Sequence, residues 1–364
     1  MRFIYSGWDD DLFDRIRGFK DLMSIFNHLL LRLNGNVNMA LRAMRQMQKM
    51  GYIPPEYDLD EFERQLRDDN IITMNEKNRP ALTRKGERGL RRDSFDLIFK
   101  RLKAAGPGKH QMHLGGGDAD EILPEKRKYA FGDNFNSLDL AGSLFNAVHR
   151  SGSLGMDLAE GDLEVYDTVR NTSCATVILI DISHSMVLYG EDRITPAKQV
   201  AMAFTEMVLT QYPKDSLSIV LFGDDAREVK IKDLPYIGVG PFMTNTKAGL
   251  QMARSILMRK KNPNKQIFMI TDGKPSMIIR SNGQEYKNPM GLDPVIVNRT
   301  LDEAVVCRKK NIPITTFMIT DDPYLQEFVR KLTELNRGRA YFSRADNLSD
   351  FVFYDFFSHR KKGR

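Results

Sequence analysis

The sequence predicts an α/β fold, a mainly parallel sheet with helices on both faces, preceded by a helical N-terminal domain. Three observations predict it. From residue 173 to 357, short β-branched runs alternate with longer amphipathic ones, the order that places crossover helices on both faces of a parallel sheet. Two of the short runs stop at carboxylates: Ala175–Ile180 at Asp181, and Ile267–Ile270 at the Thr271-Asp272-Gly273 turn. Ligands of such sheets gather at the carboxyl ends of the strands. Upstream, three helical patterns precede two short extended runs.

The elements follow in order. Leu22–Leu33, Val37–Met50 and Leu59–Arg67 carry helical periodicity. Ile71–Met74 and Ala81–Thr83 flank a polar turn, Asn75 to Arg79, and a basic amphipathic helix runs from Arg84 to Lys103. Three helices and a two-stranded wing resemble a winged-helix domain over residues 1–103. Such folds often bind DNA, but the third helix, which would enter the groove, carries Asp58, Asp60, Glu61, Glu63, Asp68 and Asp69. Phosphates repel such a surface. A protein-docking role is therefore expected, with a DNA-associated regulator as the alternative.

Residues 104–172 read as a bridge. Glycine turns at Gly106–Gly108 and Gly115–Gly117 suggest linkers, and His110 and His113 suggest solvated loop histidines. Leu138, Leu140, Leu144, Phe145 and Val148 form an apolar stripe expected to pack on the α/β domain. Asp162–Val169 is expected to lead as a strand into the main sheet.

In the α/β part, Ala175–Ile180, Ser216–Phe222, Gln266–Ile270, Ile314–Ile319 and Arg339–Phe342 are predicted strands, with Arg227–Ile231 as a short edge strand. Thr195–Tyr212, Lys247–Lys260, Val295–Lys309, Pro323–Leu335 and Leu348–Phe357 are predicted helices, the first with Pro196 at its start. Asn282-Gly283 is a strong hairpin signal, in a long connection expected to stand beside the strand-end carboxylates and to contact a partner. Residues 358–364 form a basic tail.

Composition narrows the class. The 364 residues are 41% hydrophobic and 28% charged, with a net charge of +6. That suits a globular protein and is too small an excess to indicate nucleic-acid binding. Cys174 and Cys307 are the only cysteines and suggest small buried hydrophobes in a reducing compartment. The first residues lack the apolar core of a signal peptide, and no stretch has the length of a membrane span. A cytoplasmic location is expected.

The chemistry concentrates in Asp181-Ile182-Ser183-His184-Ser185. One carboxylate and two hydroxyls turned to one point suit a small hard cation. His184, between the serines, should point away. Thr244 precedes the helix at Lys247, and Asp272 follows the second apolar run. This ordered set resembles the metal-ion-dependent adhesion site of von Willebrand factor A (vWA) domains. The resemblance implies that Asp181, Ser183, Ser185, Thr244 and Asp272 hold Mg2+ (or Mn2+), with one position open to an acidic residue of a target protein. Asp224 and Asp225 are expected to be turn residues outside that set.

Further stretches, among them Pro213–Leu217, Asn264–Ile267 and Asn336–Tyr341, resemble bacterial cytosolic vWA proteins of the CoxE-like and magnesium-chelatase D-subunit-like type. That resemblance implies a non-catalytic subunit working with a MoxR-type AAA+ ATPase in protein remodelling or in metal or cofactor insertion. The D subunit's inactive ATPase domain and acidic-proline linker are missing from this sequence. So are the G-x-x-x-x-G-K-[ST] phosphate loop and the G-x-S-x-G nucleophile motif. Ser183 stands where a haloacid-dehalogenase phosphatase has its second Asp. No enzyme activity is expected.

Overall fold

The computed structural model describes residues 22–76, 78–104, 121–130, 138–152, 158–169, 173–190, 192–240, 242–280, 282–319 and 322–360. Three helices open it: α1 (Leu22–Arg32), α2 (Val37–Lys49) and α3 (Leu59–Asp68). The Asn36 side chain accepts from Met39 N to start α2, and Asp58 accepts from Asp60 N and Glu61 N to start α3. These are donors that a first helical turn leaves without partners. The apolar faces bury Phe26, Leu30, Met44, Met47 and Leu66, with Phe26 edge-on to Phe62. Strands β1 (Ile72–Met74) and β2 (Pro80–Leu82) pair antiparallel, and α4 (Arg84–Ala104) follows. The helices and wing expected from the sequence are present. The acidic α3 turns two carboxylates onto its neighbour: Arg45 of α2 reaches Asp60 at 2.9 Å and Glu63 at 2.6 Å.

The described residues between Met112 and Ser173 form a compact unit of their own. Its strands β3 (Glu121–Lys128) and β4 (Glu164–Val169) pair antiparallel around a register break. Helix α5 (Leu140–Ser151) is tied to the turn before β4 by Arg150, whose Nε lies 2.9 Å from Asp162 Oδ1. The expectation that this strand leads into the main sheet is corrected: β4 spends its hydrogen bonds on β3. The glycine runs and His110 and His113 lie outside the described residues, as do the N-terminal residues 1–21 and the last four of the basic tail.

The main sheet has six strands. They are β5 (Cys174–Asp181), β6 (Ser216–Phe222), β7 (Ala226–Val229), β8 (Asn264–Thr271), β11 (Ile314–Met318) and β12 (Arg339–Phe342), in the order β12-β11-β8-β5-β6-β7. All neighbours are parallel except β6 and β7, a hairpin closed at Gly223–Asp225. A small hairpin, β9 (Met277–Ile279) and β10 (Glu285–Lys287), stands in the connection after β8, where Asn282-Gly283 predicted it. Gly283 sits at φ +80°, as such a turn requires.

Helices α6 (Ile194–Gln211), α7 (Thr246–Met258), α8 (Pro294–Lys309), α9 (Pro323–Asn336) and α10 (Leu348–Arg360) cover both faces. Strand alternation decides which side chains meet which helices. Val177, Leu179, Ile267 and Met269 pack with Leu250, Ala304 and Val329 of α7, α8 and α9. On the opposite face, Phe268 packs edge-on against Phe204 of α6, which in turn meets Phe353 and Phe356 of α10.

The N-terminal helices join this domain in one compact unit. Phe99 of α4 packs edge-on against Phe353, and Arg91 of α4 reaches Glu206 of α6 at 3.3 Å. The basic helix is therefore engaged within the chain along this face. A buried lysine closes the joint. Lys198 of α6 donates to Leu31 O, to Asn34 Oδ1 at 3.0 Å and to Ile237 O at 3.0 Å, so all three ammonium protons have acceptors.

Burial pushes the Lys198 ammonium down from 10.5 to about 8, against the pull of Asp192. The unfolded chain therefore holds this proton more tightly than the folded one. Stability should rise as pH climbs from about 8 toward 10.5, where only the unfolded state keeps the charge. Denaturant midpoints of wild type and Lys198→Met across that window should diverge, because the variant lacks this increment. Identical pH slopes in the two proteins would count against a buried ammonium with a depressed pKa at the joint.

Candidate functional site

Strand β5 is buried on both faces and runs straight into Asp181, which is 0% exposed. Its neighbour β8 ends at Thr271, and Asp272 follows. The chain passes from β5 to β6 and β7 on one side, then crosses to β8 on the other. That reversal leaves a crevice beyond the carboxyl ends of β5 and β8, the usual ligand position of such a sheet.

Asp181 is fixed from two sides. Its Oδ1 accepts from Ser183 N at 2.9 Å, and its Oδ2 accepts from the Thr271 hydroxyl at 2.7 Å. The Thr271 oxygen in turn accepts from Gly273 N at 2.9 Å. Gly273 has φ +106°, and a Cβ there would lie 2.4 Å from Met318 Cε, so the Thr-Asp-Gly turn needs its glycine. The Ser183 and Ser185 oxygens are 3.1 Å apart. His184 between them is exposed, as alternation predicts.

The Thr244 loop is pinned against both strand ends. His184 N donates to Phe242 O at 3.2 Å. Thr244 N donates to Ser276 Oγ at 2.9 Å, and Ser276 N returns a bond to Thr244 O at 2.9 Å. Asp224 Oδ1 accepts from Met243 N, and its carbonyl accepts from Asn245 Nδ2. Asp224 thus shapes the loop, and Asp225 caps its own turn through Ala226 N. Asn245 caps α7. Thr244 itself is buried.

The two carboxylates are uncomfortable together. Burial raises the Asp181 carboxyl well above the usual carboxylate range, and the charge of Asp272 raises it further. Burial raises Asp272 as well, while the Ser185 hydroxyl and Arg193 hold it the other way. Arg193 NH1 stands 3.4 Å from Asp272 Oδ2. Asp272 Oδ1 is buried without a hydrogen-bond partner. An orphaned carboxylate oxygen beside a second buried carboxylate and two hydroxyls is a donor set that fits a small hard cation. Among the described residues, no cluster of three or more His, Cys, Asp and Glu forms another candidate.

Sequence reasoning named Asp181, Ser183, Ser185, Thr244 and Asp272, and the structure gathers their segments at one end of the sheet. It missed Arg193, Thr271 and Ser276. Thr271 was readable as part of the turn, but nothing in the sequence marks Arg193 as a neighbour of a carboxylate 79 positions away. Cys307 is buried, its thiol pushed up to about 12 by burial, and neither cysteine forms a disulfide. No described helix is long and apolar enough to cross a membrane.

Residues 174–357, half of the chain, match the family model described as "Rv0959-like protein, vWA domain". The chain belongs to this vWA family. Residues 121–168, within the segment expected as a bridge, match the "Rv0959-like protein, third domain" model. The chain is 27% identical over 313 residues to Rv0959 of Mycobacterium tuberculosis, covering 84% of this chain and 46% of that protein. Mb0984 of Mycobacterium bovis gives the same figures. The chain thus spans about half the length of the curated relatives it matches.

Among solved structures, the vWF domain of the type V pili tip protein Mfa5 from Porphyromonas gingivalis is 14% identical with a TM-score of 0.43, covering 53% of this chain and 98% of that one. The SpRpn10 VWA domain is 18% identical with a TM-score of 0.37, covering 50% of this chain and 94% of that one.

Proposed function

We propose that this chain is a non-catalytic adaptor whose vWA domain captures an acidic side chain of a target protein through Mg2+ or Mn2+. The observation that carries this is the orphaned Asp272 Oδ1, buried beside the raised carboxyl of Asp181 and the paired hydroxyls of Ser183 and Ser185. Asp181, Ser183, Ser185, Thr244 and Asp272 would hold the ion. When bound, it supplies a positive centre with a position open to an incoming carboxylate. The serine hydroxyls neutralise little of that charge. Thr271 and Gly273 keep Asp181 in place, and Ser276 keeps the Thr244 loop in place.

The sequence contains no phosphate loop, so work on the target is assigned to a partner. The resemblance of its sequence to CoxE-like and chelatase-D-like vWA proteins supports a MoxR-type AAA+ ATPase in the cytoplasm as that partner. The acidic α3 and the internally engaged α4 give a DNA-associated role no support.

Pull-down from the native cell in Mg2+-ATP should recover an AAA+ ATPase together with a target. Target capture should fall about tenfold or more in Ser183→Ala and in Thr244→Ala, while ATPase capture persists. Failure to recover any such ATPase would remove the partnership. Target capture unchanged in EDTA and in both variants would remove the metal.

A further inference from the structure

Beside the strand-end site a groove of about 840 Å³ runs along α7, bounded by β7, the β9–β10 hairpin and the start of α8. Asn245, the chain neighbour of Thr244, is one of its wall residues, and Met277 N at the base of the bounding hairpin donates to Thr244 O at 3.3 Å. Ala248, Met252 and Ile256 of α7 form its floor with Ile278, Ile279 and Val295. Lys247, Arg259, Arg280 and Arg299 stand along it against Asp225 and Glu228, and Asp225 is committed to its own turn. The wall is therefore apolar at the base and predominantly cationic at the edge. The exposed Ile279 and Val295 add apolar surface at 39% and 46% exposure.

The hairpin contributes backbone as well. Asn288 N donates to Ser276 O, and Arg280 N donates to Gln284 O. Alternation then turns the main-chain groups of Met277 and Ile279 away from β10. Met277 N goes to Thr244 O. Ile279, a groove residue, turns the same way and offers a strand edge. From Lys247 to Arg259 the helical wall is roughly 18 Å long, the span of about five or six extended residues.

We infer that this groove receives an extended segment of a partner protein in which acidic and apolar residues alternate, the same segment whose leading carboxylate is captured at the metal site. The inference rests on the adaptor reading above and supplies what that reading lacks, a source of specificity beyond one carboxylate. The hairpin, which the sequence marks and which carries none of the proposed metal ligands, is the groove's outer wall.

The test uses a fluorescein-labelled peptide of about ten residues alternating glutamate with leucine or serine, titrated by anisotropy against the full chain. Wild type should bind it in millimolar Mg2+ and bind the lysine-for-glutamate counterpart far more weakly. The double variant Arg280→Glu with Arg299→Glu lies on exposed side chains outside the metal set. It should lose about five- to thirtyfold in peptide affinity, with its melting temperature and its Mg2+ calorimetry unchanged.

Peptide binding that needs Mg2+ but ignores the double variant overturns the groove and leaves the metal site standing. Binding that ignores Mg2+ but is lost in the double variant supports the groove while removing the metal capture. No binding of the glutamate peptide, or equal binding of the lysine peptide, overturns the groove outright.

Discussion

Mg2+ should raise the melting temperature of the wild-type chain and leave that of Asp181→Asn unchanged. This is the expected outcome of scanning calorimetry with and without the ion, and it follows from the burial of the pair. Asp181 and Asp272 are 0% and 2% exposed, and each stands above the usual carboxylate range mainly because burial penalises its charge. A cation held by these residues would offset both the burial and the repulsion. An ion that binds only the folded state adds about 2.7 kcal/mol at a hundredfold excess over its dissociation constant, which is several degrees in a domain of this size.

Asparagine at 181 keeps an oxygen for the Thr271 hydroxyl or for Ser183 N but removes one of the two charges. The ion then has a weaker site, and the metal-free variant should melt no lower than metal-free wild type. An equal upward shift in both proteins would sink the assignment. So would the absence of a wild-type shift with either Mg2+ or Mn2+ at saturating concentration.

The legibility of this site in the sequence has a physical reason. Strand ends are set by local rules: an apolar β-branched run stops where a polar side chain must leave the core. Asp181 and the Thr271-Asp272-Gly273 turn are therefore visible without coordinates. Thr244 was visible because a helix start follows it. The same locality explains the misses. Arg193 meets Asp272 only because β8 lies next to β5, a fact of topology. The destination of β4 was misjudged for a related reason. An extended run announces that it will pair but not with what, and the partner strand β3 carries Leu123, Pro124 and a run of charges, Glu125 to Lys128, which obscure its strand character. The docking of α4 on α6 and α10 was equally illegible, since an amphipathic helix names no receiver for its apolar face.

A second large effect lies at the other end of the sheet. Asp355 on α10 is 0% exposed. It receives both arms of Arg339, with NH2 to Oδ2 at 2.9 Å, as well as the Tyr341 hydroxyl at 3.0 Å and the Thr315 hydroxyl at 3.4 Å. Arg339 begins β12 and Thr315 lies near the start of β11, so this staple holds the closing helix to the amino ends of the edge strand β12 and its neighbour β11. Asp355→Ala leaves the Arg339 guanidinium, 26% exposed, without its carboxylate partner. Breaking a buried pair from one side costs about 3–5 kcal/mol, and urea unfolding should show a loss of that order.

Asp355→Leu combined with Arg339→Met should recover much of it, because the double replacement strands no charge. A loss below about 1 kcal/mol in Asp355→Ala would mean that the pair is solvated and that the aromatic contacts of Phe353 and Phe356 alone dock α10. The site at the carboxyl ends of β5 and β8 shares no hydrogen bond with this staple. The Mg2+-induced rise in melting temperature should therefore survive in Asp355→Ala, starting from a lower baseline, whereas Asp181→Asn should keep the baseline and lose the rise. Opposite patterns in the two variants separate a group that holds the fold from one that holds the ion.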